Sequence, residues 1–220
     1  MRVRIVNRHA VAVLAVGLVA GLGASAASSR VRYQVDLARS HLVIKTETTG
    51  LSSMFGHDHA IQADAFSGEV HMSAGAPETA ALDLSIVAGS LHSIDDLHPD
   101  LRWEIDTVMR DKVLETGRYP TIRFQSRKLG LGAGTIGIGR PAKVDVTGEL
   151  QLHGVRRTVT VPMTVTLQRD GLRASGTVAI KQTDFGIALY TFADGNATVS
   201  DKVTLTFDVV CVPDAPPALN

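Results

Sequence analysis

The chain has 220 residues, 45% of them hydrophobic and 20% charged, which suits one large β domain or two small ones and excludes an intrinsically disordered polymer. Lys and Arg number 22 and Asp and Glu 22, so the formal net charge is zero and nothing resembles the basic footprint of a nucleic-acid binder. With Cys211 as its one cysteine, the chain cannot be stapled by an internal disulfide.

The N-terminus reads as a targeting segment. Arg2, Arg4 and Arg8 precede the apolar run Ala10 to Leu22, and Ala24-Ser25-Ala26 follows. A basic start, a short apolar stretch and a small-residue site are the parts of a secretory signal peptide, and the run is short for a membrane span. Residues 1–26 are therefore expected to be removed, leaving a soluble periplasmic or secreted protein with no stable membrane anchor. That cleavage takes away three arginines and no acid, leaving 19 basic against 22 acidic residues.

From Tyr33 the pattern is extended. Tyr33, Val35 and Leu37 alternate with polar residues, and Leu42 and Ile44 follow Ser40. Gly50 to Phe55 reads as a loop, Ala60 to Met72 as a strand or bent strand pair, and Ser73 to Thr79 as a turn carrying Gly75 and Pro77. Leu82, Leu84 and Ile86 mark another half-buried strand. The period then changes: Leu101, Ile105, Val108, Met109 and Val113 share one helical face, with Pro99 near the start and Gly117 beyond the end. This Leu97 to Thr116 segment is expected to cover the sheet as a helix, with Trp103 and Leu114 off its buried stripe. Alternation resumes at Ile122 and Phe124, and Gly130 to Pro141 is a glycine-rich connection.

The clearest hairpin runs from Val144 to Leu167. Val144, Val146, Leu150 and Leu152 alternate with polar residues, as do Val159, Val161, Met163, Val165 and Leu167 after the turn His153-Gly154-Val155-Arg156. Placing Leu152 opposite Val159, Leu150 opposite Val161 and Val146 opposite Val165 puts every apolar side chain on one face. Pro162 falls on the outer face and, lacking an amide hydrogen, should locally weaken or bulge its strand. Two further alternating runs, Leu172 to Ile180 and Val203 to Val209, complete roughly eight or nine strands. Many short strands with one inserted helix suggest a closed antiparallel barrel or a sandwich. The tail from Pro213 to Asn220 is proline-rich and expected to be disordered.

Two letter matches carry no chemistry. Gly132 to Gly137 fits G-x-G-x-x-G but opens no helix, and Asp184-Phe185-Gly186 lacks the accompanying kinase segments. No nucleophile motif or metalloprotease motif occurs, so no catalytic residue is assigned and no enzymatic activity is expected. Gly56-His57-Asp58-His59 offers a different possibility. On a strand His57 and His59 share a face and could hold zinc or copper, provided His41 or His71 supplies a third ligand.

The order of several short segments resembles the YceI-like family. These are Tyr33-Gln34-Val35-Asp36, Ala65-Phe66-Ser67-Gly68, Tyr119 to Ser126, Val146 to Val155, Thr183-Asp184-Phe185-Gly186-Ile187 and Ser200 to Leu205. The resemblance implies one domain over residues 27–212, mainly all-β: an antiparallel lipocalin-like β-barrel of about eight strands with one inserted α-helix. It also implies an apolar tunnel for an isoprenoid lipid or another long-chain amphiphile. Phe124, Val146, Leu150, Leu152, Val159, Val161 and Val165 are the expected tunnel walls. A filled barrel acting as an interaction module is the competing expectation, because alternation looks the same in a hollow and a solid barrel.

Overall fold

The computed structural model describes residues 30–49, 58–73, 76–132, 136–192 and 195–214. His57, the expected signal peptide and the Gly50 to Phe55 loop lie outside them. The strands are β1 (Arg30–Val35), β2 (His41–Thr49), β3 (His59–Ala63), β4 (Phe66–Ser73), β5 (Ala76–Val87) and β6 (Leu91–Ser93), followed by helix α1 (Pro99–Val108). After it come β7 (Thr121–Leu131), β8 (Pro141–Leu152), β9 (Val155–Gln168), β10 (Gly171–Lys181), β11 (Thr191–Phe192) and β12 (Ala197–Pro213).

Eight of these strands close on themselves in the order β1-β4-β5-β7-β8-β9-β10-β12, with β12 returning to pair with β1, all antiparallel. Closure removes the free edges that an open sheet would expose. The long β12 makes this possible by serving two neighbours on one edge. Its Cys211 to Pro213 end pairs with β1, while Thr198 to Asp208 pairs with β2. The switch from β1 to β2 is made by a 3₁₀ turn over Leu37–Arg39, and buried Ser40 fixes it. Its hydroxyl donates to the Asp36 carbonyl at 2.6 Å and accepts the Val210 amide at 3.0 Å. Strand β2 then carries β3 and β6 as a flap that extends the wall at one end.

The β8–β9 hairpin forms with its apolar face inward, but its register differs from that expected. Leu152 lies opposite Val155, Val146 opposite Val161 and Val144 opposite Met163. The turn is only His153-Gly154, with φ of 51° and 74°, the left-handed pair that a two-residue hairpin turn needs. Shortening the loop from the six residues between Leu152 and Val159 to two moves each partner by four positions, an even number, so every side chain keeps its face. Pro162 produces no bulge, since its pairing with β8 runs through it unshifted, but it weakens the strand on the other side. The β9–β10 ladder spans only Met163 to Gln168 and stops at the proline. Below that point the 3₁₀ turn Thr183–Phe185 fills the gap, with Phe185 buried and Arg157 Nε donating to the Asp184 carbonyl at 3.0 Å.

Helix α1 starts at Pro99 and continues as one wide π turn over Met109–Val113. The Leu114 amide donates to Met109 at 2.8 Å, an i to i−5 bond. The extra residue in that turn rotates Leu114 inward, so it packs with Leu152, Ile122 and Phe185 and is not exposed beside Trp103. Trp103 itself is 67% exposed. The turn between β4 and β5 is also tighter than expected, since Ser73 pairs with Ala76 and Pro77 to Thr79 belong to β5. Among the described residues no helix is long and apolar enough to cross a membrane.

Candidate ligand-binding cavity

Inward positions of the barrel strands are nearly all apolar, yet many are only half-buried. Ile44, Val70, Leu84, Leu150, Val159, Val161, Met163, Val165 and Leu205 point inward and remain partly accessible. They face empty space: the barrel encloses a cavity of about 670 Å³. An eight-stranded barrel can be just filled by its side chains. Here the largest inward rings are laid against the wall. A Cβ on Gly148 would come within 2.5 Å of Phe124 Cζ, and one on Gly176 within 2.8 Å of Phe207 Cζ. Each aromatic ring therefore lies over a glycine of the neighbouring strand.

Phe124, Val146, Leu150, Leu152, Val159, Val161 and Val165 all line this cavity. So does the whole apolar stripe of the helical segment, Leu101, Ile105, Val108, Met109 and Val113. The helix is a cap on one barrel end. Toward the opposite end the lining is apolar and includes Leu129, Ile136, Val144 and Leu172. Volume, apolar lining and a few placed polar groups are what a small-molecule pocket has.

The polar groups on the lining are Thr46, His59, Glu104, Gln182 and Tyr190. Thr46 and His59 are cross-strand partners in β2 and β3, so they sit side by side. Gln182 is already committed, donating to the Ser200 carbonyl at 2.8 Å. His59 is held from behind by Asp95, with Nδ1 2.7 Å from Oδ2. The Ser93 hydroxyl also donates to Asp95 Oδ2, at 2.9 Å, and the Ala60 amide donates to Oδ1 at 2.9 Å. Partial burial opposes a charge on Asp95, but these three donors outweigh it and hold the carboxyl below its usual range.

The expected third metal ligand is not where the spacing required it. Strands β2 and β3 pair Thr46 with His59 and Ile44 with Ile61, which are residues of unlike parity. His41 therefore projects from the opposite face to His59, five residues along β2 from Thr46. His71 is on the outer face of β4, where its Nε2 lies 3.1 Å from Glu69 Oε1. Among the described residues no group of three potential ligands forms. Asp95, Glu104, Tyr190 and Phe192 gave no sequence signal, because their neighbours in space are distant in the chain or lie in short, irregular elements.

The sequence model of the YceI-like domain family matches residues 33–211, which spans the barrel from β1 to the end of β12. The chain belongs to the YceI-like family. Solved structures with this fold include Burkholderia cenocepacia BcnA, 24% identical, with a TM-score of 0.63 over 80% of this chain and 98% of that one. A polyisoprenoid-binding domain from Saccharophagus degradans, implicated in plant cell wall breakdown, is 18% identical. Its TM-score is 0.61, over 82% of this chain and 98% of that one. A YceI protein of Campylobacter jejuni is 17% identical with a TM-score of 0.52, over 70% and 84%. No curated protein matches the chain. For this YceI-like chain the shared feature is the barrel itself.

Proposed function

We propose that this protein is an exported carrier or buffer that holds one isoprenoid lipid, or another long-chain amphiphile, inside its barrel and performs no chemistry on it. The observation that carries the reading is the apolar cavity of about 670 Å³ inside the barrel, within the ~300–1,000 Å³ range of small-molecule pockets. A ten-carbon tail moved from water gains roughly 8 kcal/mol gross at about 0.8 kcal/mol per methylene. Association and ordering remove several of these, which leaves micromolar affinity. The seven wall residues Phe124, Val146, Leu150, Leu152, Val159, Val161 and Val165 would contact the tail. The name of the Saccharophagus degradans domain supports an isoprenoid as the first ligand to try. A cavity of this volume argues against the filled-barrel interaction module.

Native mass spectrometry of protein purified from its own host tests the reading, with a co-purified lipid as the expected result. A clean apo mass, with no binding of prenols, quinones or fatty acids, would overturn it. The same measurement tests export: the expected mass lacks residues 1–26 and the protein appears in the periplasmic or secreted fraction.

A further inference from the structure

We propose that His59 is the anchor for the ligand's polar end and that it selects a hydrogen-bond donor, a terminal hydroxyl, over a hydrocarbon or an ether. The inference rests on the lipid-binding reading and adds the head-group chemistry to it. Polar groups on the cavity lining are few, and one of them is built to a definite proton arrangement. Asp95 accepts the Ala60 amide on Oδ1 and the Ser93 hydroxyl on Oδ2, and its Oδ2 also faces His59 Nδ1 at 2.7 Å. With donors on both oxygens Asp95 acts as a carboxylate acceptor, so the hydrogen between it and His59 belongs to Nδ1. When the ring is neutral, its other nitrogen is a bare lone pair.

Nothing among the described residues hydrogen-bonds that Nε2, and His59 lines the cavity with its side chain 23% exposed. The carboxylate behind it is fixed as well. Asp95 Oδ1 ties it to the first residue pair of β3, and the Ser93 amide is held by Asp106 Oδ1 at 2.7 Å, which links the site to the capping helix. His59 is thus a rigid acceptor, with the Thr46 hydroxyl beside it, on an otherwise greasy wall. A hydroxyl brought into that wall without a partner would lose its water and gain nothing. Against His59 Nε2 it is satisfied, and its tail can extend toward the apolar end at Leu129 and Val144. Asp95 is a positioning residue that fixes the tautomer and the ring plane.

The test compares farnesol, farnesyl methyl ether and the hydrocarbon farnesene on wild type, His59→Phe and Asp95→Asn. Wild type should prefer farnesol to the ether by about tenfold, the worth of one satisfied buried hydrogen bond. His59→Phe should abolish that preference while farnesene affinity is retained, which also reports that the variant is folded. In Asp95→Asn the imidazole ¹⁵N shifts should lose the single-tautomer signature, with a smaller loss of farnesol preference. An unchanged preference in His59→Phe overturns the anchor while the carrier reading stands. Failure of all three ligands to bind wild type overturns both.

Discussion

Substituting Val161 by Phe separates a hollow barrel from a solid one. Val161 sits in mid-strand opposite Val146 and lines the cavity. The change adds four carbons to a side chain that faces a cavity of about 670 Å³. If that space is where the tail lies, about four methylenes are displaced at about 0.8 kcal/mol each. The loss is about 3 kcal/mol, or roughly 200-fold in Kd. Stability should move the other way or not at all, because the new ring fills a void and does not displace packed neighbours. Overpacking a filled core costs about 1–3 kcal/mol or more. Displacement of a fluorescent fatty-acid probe gives the affinity, and urea unfolding gives the stability. Unchanged affinity, or a stability loss of about 1 kcal/mol or more, would refute the reasoning.

Gly148→Ala should destabilise the barrel by about 1–3 kcal/mol, since its Cβ would meet both the Gln125 carbonyl oxygen and Phe124 Cζ at 2.5 Å; thermal melting checks this. Burial pushes the Cys211 thiol up to about 11, whereas the unfolded thiol ionises near ~8.5. The unfolded chain thus sheds its proton first, and stability should fall between those two pH values by about 3 kcal/mol; Cys211→Ala should remove that component in pH-dependent urea titrations. The guanidinium of Arg123 holds Asp83 below its usual range, and that of Arg173 does the same to Asp208. Their contribution is present above the unfolded carboxyl value and is lost as pH falls through the lower folded one, so Asp83→Asn/Asp208→Asn should flatten the acid limb of stability below about pH 4.

Local alternation was sufficient to find most of the strands and their inward faces, because a period of two assigns each side chain to a face whatever its partner. The same logic kept the β8–β9 faces correct when the register moved by four. It could not fix the turn length, which the left-handed backbone of His153 and Gly154 decided. The family could also be read from the order of short segments, since that order follows the strand sequence of the barrel.

The interior was decided by tertiary structure. Whether inward valines and leucines touch each other or face a void depends on the barrel's girth and on where Phe124 and Phe207 lie, and both glycines that receive those rings are on other strands. The His59 partner was equally hidden. The sequence offered His57, His41 and His71 by proximity or residue type, but pairing Thr46 with His59 turns His41 outward, and Asp95, 36 residues away, arrives through β6. Short-range periodicity sets which way a side chain faces, and only chain closure sets what it meets there.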